Sequence, residues 1–474
     1  MELFIQKTYK QELSYIVSTV LERLGYGNEQ RLKRKELYKQ IDTMRYGDIR
    51  SMLTFITVGS KGEGLTNVFE KDRDILVIEC SGVCVDEFYN TDSPTLDGKN
   101  VFTLKMDNSS PGHGLLFPTK SSGRIAKLLG DALTDLNGET ALSSEMFSKA
   151  VYDFVKKSVY LGNGTQIQPR SGCATRIENG KLCEDHVYAL ECYCPTIIDA
   201  WASRKRPYDW PPREVIEEIT HSPGYVVATG CAESVYTQHE WRLCFNIGEQ
   251  KLVDCLNDIQ IKLYVLLKLV LAEIIEPLVD ELTSFMMKNI VFWLAERNPQ
   301  SLFTPDSLIQ WLFNALKMLQ KCLKNNMLPY YMIPYRNLFA GKMNQEQREF
   351  MFGKVVSIIQ EGPKFLLQSK RLHKCMLMSI VYPEILQELS SCRHEVEILF
   401  LKSTFLSKRM SVTLRAGRCP EEDPVATTEE EAMWRRMSDL IHPTWRHDAY
   451  ENRRRENNTR RVFDVKTELV DILT

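Results

Sequence analysis

The chain has 474 residues, of which 43% are hydrophobic and 26% are charged, and its formal net charge is −2. This length and this apolar content suit a folded protein of two or three domains, or one bilobal enzyme. The near-neutral charge excludes a polycation, so any nucleic-acid binding must come from a local basic patch.

Cysteine usage and hydropathy indicate an intracellular protein. The thirteen cysteines form no C-x-x-C pair, and an odd, scattered set fits reduced thiols better than a disulfide framework. The N-terminus, MELFIQKTYKQEL, has no apolar core of the kind that a signal peptide needs. Four charged residues interrupt the most apolar run, 261–279, which therefore predicts a buried helix rather than a membrane span. We expect a cytoplasmic protein, with the nucleus as the alternative, and no membrane partner.

Residues 1–45 predict a helix, because Ile16, Val20 and Leu24 recur at helical spacing. The segment RLKRKELYKQ, at 31–40, carries five basic residues and one glutamate. This run is either a solvated helix face or a surface that lies along a phosphate backbone. The candidates for nucleic-acid binding are Arg31, Lys33, Arg34, Lys35 and Lys39.

The stretch 55–79 combines the features of a phosphate site and a metal site. An apolar run, 55–58, predicts a strand that breaks at Gly59-Ser60, and a small-residue turn of this kind suits phosphate. Asp72 and Asp74 open a second apolar run and, at i and i+2 on a strand, share one face. Two buried carboxylates repel each other unless a cation lies between them. Arg73, which separates them, should face away.

A third carboxylate opens another predicted strand, EDHVYALEC at 184–192. Aspartate is common where an exposed strand begins, but next to Asp72 and Asp74 the residue Asp185 completes a candidate two-metal site. Two Mg²⁺ or Mn²⁺ ions about 3.5–4 Å apart stabilise the attacking and leaving oxygens of an in-line displacement. Asp72 and Asp74 would bind both ions, and Asp185 would bind the ion that activates the attacking hydroxyl. Carboxylate oxygens suffice for these ions, so no histidine or cysteine is needed.

The order of strand, Gly-Ser turn, Asp-x-Asp strand and later carboxylate is the layout of the polymerase-β-type nucleotidyltransferase fold. We therefore predict an α/β protein with a bilobal core of this type, a twisted mixed sheet, a long N-terminal helix and a C-terminal helical lobe. In the sheet, Arg242 alternates with apolar neighbours and should point into a cleft. The predicted domains are an N-terminal helix at 1–45, the nucleotidyltransferase core at 46–255, an amphipathic helical lobe at 256–403 and a charged tail at 404–474. The tail is either flexible or ordered by a partner, and a short helix around 433–441 is compatible with its sequence.

Five motifs together resemble the cyclic GMP-AMP synthase (cGAS) and cGAS-like receptor family, which shares its fold with the male-abnormal (Mab) developmental proteins. The resemblance covers roughly residues 10–360. It rests on GSKGEG at 59–64, DRD at 72–74, EDHVYALEC at 184–192, EWRLCF at 240–245 and YYMIPYRNLF at 330–339.

The resemblance implies a role for each matching position. Gly59 and Ser60 would hold the triphosphate, and Asp72, Asp74 and Asp185 would bind the metals. Without the resemblance, Phe285 would be assigned to the core of the protein. Lys268 is different, because a lysine in an apolar helix needs an anion or a route to water whatever the family. The other implied nucleotide contacts are Arg242, Glu249 at a base edge, Lys268 at the triphosphate, Ser284 at phosphate, Phe285 stacked on a base, and Lys288 one turn further on.

The chain departs from the vertebrate DNA sensor of this family, which carries a zinc-binding His/Cys insertion after the WRLCF-like strand. Residues 246–262 contain Cys255 and no histidine, so we expect no zinc site in this segment. Zinc-free relatives are RNA-triggered in several cases, which favours double-stranded RNA over DNA as the activator. A second departure is SGCATR at 171–176, where the family has a Gly-Pro turn.

The resulting expectation is an enzyme of innate immune signalling that binds ATP and/or GTP together with double-stranded nucleic acid, and makes a cyclic dinucleotide. A ligand-dependent oligomer fits this interpretation. Two alternatives stay open: a catalytically silent Mab-type scaffold or nucleic-acid-binding protein, and a transferase that makes linear products. A silent protein should have lost a carboxylate or the Gly-Ser turn, and this chain retains both.

Overall fold

The structure is a computed structural model of the chain. It describes residues 2–43, 53–70, 73–107, 109–122, 127–158, 165–168, 174–179, 182–275, 282–415 and 424–441. The chain divides into two compact units. The first unit comprises Met1–Glu22, Glu79–Phe154 and Tyr188–Pro383, and the second unit comprises Arg23–Ile78, Val155–Val187 and Glu384–Thr474.

The strands follow the apolar runs of the sequence closely, and two of them, β2 and β9, contribute residues to both units. Their bounds are β1 Leu53–Thr57, β2 Arg73–Asp86, β3 Asn100–Lys105, β4 His113–Lys120, β5 Leu133–Leu136, β6 Glu139–Leu142, β7 Thr165–Ile167, β8 Ala174–Asn179, β9 Leu182–Tyr193, β10 Gly224–Val227 and β11 Glu240–Cys244.

The helices include two long ones near the C-terminus, α14 and α15. Their bounds are α1 Glu2–Leu21, α2 Asn28–Thr43, α3 Gly59–Gly62, α4 Lys127–Gly130, α5 Ser144–Ser158, α6 Pro195–Ala202, α7 Arg213–Thr220, α8 Asn246–Asp254, α9 Asp258–Val270, α10 Ser284–Arg297, α11 Leu308–Asn325, α12 Gln345–Glu361, α13 Lys370–Val381, α14 Pro383–Arg415 and α15 Pro424–Ile441.

The first unit contains a mixed sheet in the order β2-β3-β4-β11-β10-β9. The strand β3 runs parallel to β2, and the other neighbours run antiparallel. On β11, Trp241 and Leu243 are buried, and Arg242 between them is half-buried. Since side chains alternate between the two faces of a strand, Arg242 points to the face opposite Trp241 and Leu243. That this face lines a cleft stays a prediction. The strands and helices together confirm a mixed α/β fold; the polymerase-β type and the bilobal arrangement stay predictions.

The most apolar segment of the chain forms α9, a helix of the first unit that is buried on nearly every side. It begins at a capping box, in which Asn257 Oδ1 accepts from Gln260 N and Gln260 Oε1 accepts from Asn257 N. Lys262 is 1% exposed, and its Nζ lies 2.5 Å from Glu22 Oε1 and 2.7 Å from Asp258 Oδ2. The charge of Lys262 is therefore paired within the protein, as burial of this helix requires.

The second unit packs α2, α14 and α15 around one apolar cluster. Val68, from the loop after α3, also enters this cluster. The remaining members are Leu37, Tyr38 and Ile41 of α2, Val396, Phe400 and Leu401 of α14, and Met437 of α15.

The predicted long N-terminal helix is wrong as a single helix, because it breaks between α1 and α2. Gly25 lies at the break with a φ of 85°, a left-handed conformation that side chains other than glycine rarely adopt. The break also accommodates Arg34, since a Cβ built on Gly25 would lie 2.7 Å from Arg34 Nη2. Sequence periodicity alone did not reveal it, because apolar residues recur across the break.

Two helices extend over residues 404–415 and 424–441 of the predicted tail. The helix α14 continues through position 403 to Arg415, and α15 buries Met437 completely. The apolar residues of this region are few but lie at helical spacing, and Trp434, Met437 and Leu440 all pack against the cluster of the second unit. Positions 416–423 and 442–474 lie outside the described residues.

We expect Gly25→Ala to destabilise the protein by about 1–2 kcal/mol or more, because a side chain in the left-handed region is strained. The added Cβ would also collide with Arg34, which increases the loss of stability. Thermal unfolding of the purified variant measures the effect. The matched control is Gly353→Ala, since a Cβ at Gly353 on α12 meets no atom within 4 Å and should be neutral or stabilising by up to about 1 kcal/mol. Equal melting temperatures for the two variants would contradict the role assigned to Gly25.

Candidate functional site

One face of the second unit's strands is occupied by the side chain of Arg73, which starts β2. Its Nη1 lies 3.6 Å from Glu184 Oε1 on β9, and its Nη2 lies 2.7 Å from Asp42 Oδ1 on α2. Its Nε donates to Thr57 Oγ1 of β1 at 2.9 Å, and its guanidinium stacks 5.0 Å from the ring centroid of Tyr38. The helix α2 therefore covers this face, and Arg73 faces away from Asp74 as predicted.

The opposite face of the same strands carries Asp74 and Asp185. Successive side chains on a strand point to opposite faces. Asp74 and Asp185, which follow Arg73 and Glu184, therefore lie on the face opposite the contact between Arg73 and Glu184. The strands β2 and β9 also pair with each other. Asp74 is exposed and Asp185 is half-buried. Asp72 lies outside the described residues.

The Gly-Ser turn begins directly beside Asp74. Val58 N donates to Asp74 O at 3.0 Å, which joins the end of β1 to the start of β2. Gly59 opens α3 with a φ of 63°, and a Cβ built on it would lie 2.5 Å from Asp74 Oδ2. Any other residue would therefore collide with the carboxylate. Ser60 follows and is half-buried.

These residues fit a divalent cation that is bound to phosphate. Carboxylate oxygens are the ligands that Mg²⁺ prefers, and aspartates on one face of a strand pair favour a cation between them. Because Gly59 has no side chain, the carboxylate of Asp74 lies directly against the backbone of the Gly-Ser turn. The arrangement is thus suited to hold a metal ion and to bring phosphate oxygens to it.

The basic run on α2 contains two arginines that are part of the fold. Arg31 and Arg34 are 3% and 0% exposed. Arg31 Nη1 donates to Glu63 O at 3.3 Å, and Arg34 Nη1 donates to Gly64 O at 3.2 Å. The prediction that these two arginines contact a phosphate backbone is wrong, because their guanidinium groups hold the loop that follows the Gly-Ser turn.

The three lysines of this run lie elsewhere on α2. Lys33 and Lys39 are exposed, and Lys35 is half-buried. Lys33 Nζ lies 2.6 Å from Glu29 Oε1, an exposed pair one helical turn apart whose contribution to stability is small. Their role in nucleic-acid binding stays a prediction.

Four residues of the first unit form a second, mostly buried cluster. Lys288 Nζ lies 2.6 Å from Glu249 Oε2, and Tyr330 OH donates to Glu249 Oε1 at 2.7 Å. The Phe285 ring lies 5.7 Å from the Tyr330 ring and 5.1 Å from Lys288 Nζ. Burial raises the pKa of Tyr330 well above its usual value, and Glu249 raises it further, so Tyr330 keeps the proton that it donates. Glu249 therefore holds both neighbours in place; its predicted contact with a base edge stays a prediction.

The remaining predicted nucleotide contacts are half-buried positions of the first unit. Lys268 lies on α9 with its Nζ 5.9 Å from the ring centroid of Tyr264. Ser284 is the first residue of α10, where the helix dipole and the main-chain N–H groups favour an anion. Arg242 lies opposite His113 in the register of β11 and β4. The structure thus brings Glu249, Phe285 and Lys288 together in the first unit and Gly59 and Asp74 together in the second.

Arg336 is a further residue near Arg242 that sequence reasoning missed. Its Nη1 donates to Leu243 O at 3.2 Å, and its guanidinium lies 5.2 Å from the Tyr330 ring centroid. Burial, together with Arg336 and Arg242, lowers the pKa of His113 to about 4. The sequence signal for Arg336 is its place in YYMIPYRNLF, a motif that carries the family resemblance but assigns no role to this side chain.

A family model described as the Mab-21 protein HhH/H2TH-like domain matches residues 260–357. This segment runs from α9 into α12 and contains Lys268, Ser284, Phe285 and Lys288. The match bears out the Mab-type part of the resemblance over these residues. The closer resemblance to cGAS-like receptors stays a prediction.

Among the described residues, no helix combines the length and the apolar character that crossing a bilayer requires.

We expect Glu249→Gln to lower the free energy of unfolding by about 3–5 kcal/mol, because it leaves the ammonium of Lys288 buried without its carboxylate. Adding Lys288→Met should restore much of the loss, since the charge is then removed as well. Denaturant unfolding measures both variants. The control is Glu217→Gln, which removes an exposed pair with Arg213 and should change stability by no more than about 1 kcal/mol. A loss as small as that of the control would contradict the buried pairing of Glu249 with Lys288.

Proposed function

We propose that the chain is a metal-dependent nucleotidyltransferase that makes a cyclic dinucleotide from ATP and/or GTP when double-stranded nucleic acid binds, RNA in preference to DNA. The product would act as a second messenger in innate immune signalling. The Mab-21 match supports the nucleotidyltransferase-like part. The metal and nucleotide parts rest on the arrangement of the chain's own residues.

The observation that carries the proposal is the position of Asp74 beside the Gly59-Ser60 turn, with Asp185 on the same face of the paired strands. Nucleotidyl transfer requires the metal ligands to lie next to the triphosphate site. Here Asp74, a candidate metal ligand, lies directly against Gly59, which opens the candidate triphosphate site. Mg²⁺ or Mn²⁺, when bound, would neutralise charge that develops on the phosphate oxygens. Asp72 and Asp74 would hold both ions, and Asp185 the ion at the attacking hydroxyl.

Each unit offers its own candidate contacts with a nucleotide. The backbone at Gly59, which lies against the Asp74 carboxylate, would contact a phosphate that shares a metal ion with Asp74, and Ser60 offers a hydroxyl donor. Lys268, Ser284 and Lys288 would contact phosphate. Arg242 and the ring of Phe285 would contact the bases, with Arg336 adding positive charge beside Arg242.

The activator would bind through the lysines of α2, namely Lys33, Lys35 and Lys39. The same helix holds the loop after the Gly-Ser turn through Arg31 and Arg34. Nucleic acid that binds α2 would therefore shift the population of loop conformations, because the two sites share one helix.

Labelled nucleotides test this function. Purified full-length protein is incubated with ATP, GTP and Mg²⁺ or Mn²⁺, with and without double-stranded RNA or DNA, and the products are separated. We expect a cyclic dinucleotide with RNA and none from Asp74→Asn, because the substitution removes a metal-binding charge. The control Asp97→Asn changes an exposed aspartate and should leave the product yield unchanged.

Each other outcome selects an alternative. Linear products would indicate a tailing-type transferase. Absence of product under every condition, with RNA retention that weakens as salt rises, would indicate a catalytically silent nucleic-acid-binding protein. Equal yields from Asp74→Asn and Asp97→Asn would contradict the assignment of Asp74.

A further inference from the structure

Glu397, on the C-terminal helix α14, lies at the centre of a buried hydrogen-bond network in the second unit. Its Oε1 and Oε2 each lie 2.7 Å from a nitrogen of Arg34, and both side chains are at most 1% exposed. Glu397 Oε2 also accepts from Gln30 Nε2 at 3.2 Å. Burial would raise the pKa of Glu397, but Arg34 outweighs it and holds this pKa below its usual value. The carboxylate is therefore charged and bidentate.

The same carboxylate holds the loop that leads away from the Gly-Ser turn. Glu397 Oε1 accepts from Val68 N at 2.9 Å, and its partner Arg34 donates to Gly64 O at 3.2 Å. A side chain 329 residues away in the sequence is thus hydrogen-bonded to the backbone of this loop. Two points of the loop, on both sides of Leu65, depend on one ion pair.

Hydrogen bonds connect the loop to the turn within residues 59–70. Glu63 N donates to Gly59 O at 3.0 Å and Leu65 N to Ser60 O at 2.7 Å. Further along, Lys61 Nζ donates to Glu70 O at 2.8 Å. Any change in the position of Gly64 or Val68 is therefore transmitted to the turn beside Asp74.

The helix α14 is well anchored for this task. Val396, Phe400 and Leu401 flank Glu397 and pack into the apolar cluster of the second unit, and Met437 of α15 completes it. Arg393, one turn earlier, donates to Leu24 O at 3.1 Å beside the break between α1 and α2. This part of the chain lies after the segment that matches the Mab-21 domain.

We propose that Glu397 is a positioning residue for nucleotidyl transfer. Through its contacts with Arg34 and Val68, the helix α14 holds residues 59–70 in the conformation that places the Gly-Ser turn against Asp74. The inference rests on the proposed function for its effect on catalysis, but its structural part does not. A segment outside the matched domain thereby controls the geometry of the metal and phosphate site.

Hydrogen exchange on the full-length protein tests the structural part. We expect Glu397→Gln to speed amide exchange in residues 59–70 by at least about tenfold, because a lost anchor lowers the free energy of local opening. The double variant Arg34→Met with Glu397→Leu replaces the ion pair by apolar side chains, which are often tolerated in buried sites. It should keep α2 and α14 packed and still expose the loop, since neither new side chain bonds to Gly64 or Val68.

The control is Glu395→Gln, two residues away on α14, which removes only the exposed pair with Arg436. Loop exchange equal to that of the control in both Glu397 variants would overturn the proposal. Faster exchange in the double variant, with α14 still protected, supports it and separates positioning from global unfolding.

Kinetics test the catalytic part where product is formed. We expect Glu397→Gln to raise the metal concentration for half-maximal rate and to lower kcat, whereas a purely structural role would scale the rate by the folded fraction alone. An unchanged metal requirement would overturn the catalytic part. Absence of product from the wild-type protein would contradict the proposed function, and the exchange data would still decide the role of Glu397 in holding the loop.

Discussion

The contact between Arg73 and Glu184 determines where the candidate metal ligands point. Arg73 is bound on one face by Asp42, Thr57 and Glu184, and this face is covered by α2. The alternation of side chains then directs Asp74 and Asp185 to the opposite face. A slip of one residue in either strand would turn an aspartate toward α2 and the arginine toward solvent. The buried guanidinium of Arg73, in the middle of the Asp-x-Asp motif, thus determines the direction in which Asp74 points.

The helix α2 serves this region twice. Tyr38 and Asp42 cover the strand face around Arg73, and Arg31 and Arg34 hold the loop after the Gly-Ser turn. In the first unit, the pairing of Glu249 with Lys288 and Tyr330 plays the equivalent part for the proposed nucleotide contacts. In both units, buried charged side chains pair with one another and hold the neighbouring candidate residues in place.

Short-range patterns of the sequence predicted most of the strands and the glycine turn, because these depend on neighbours along the chain. The run 55–58 ends β1, the run 75–78 lies in β2, and 184–192 lies in β9. The role of Arg34 could not be predicted in this way, since its partner Glu397 lies 363 residues away. The break at Gly25 depends on a backbone conformation that periodicity does not encode, and the packing of Met437 depends on a cluster assembled from four separate segments. Asp42, which binds Arg73, belongs to no recognisable sequence motif, so its role could not be predicted either.

Metal binding by Asp74 and Asp185 is tested most directly by anomalous diffraction from crystals of the full-length protein grown with Mn²⁺ and a non-hydrolysable nucleoside triphosphate. Data collected at the manganese absorption edge locate the ion without reference to activity. We predict manganese peaks about 2–2.5 Å from carboxylate oxygens of Asp74 and Asp185, with the triphosphate against Gly59 and Ser60. A bound nucleotide with no manganese on this face of β2 and β9 would contradict the assignment of these aspartates.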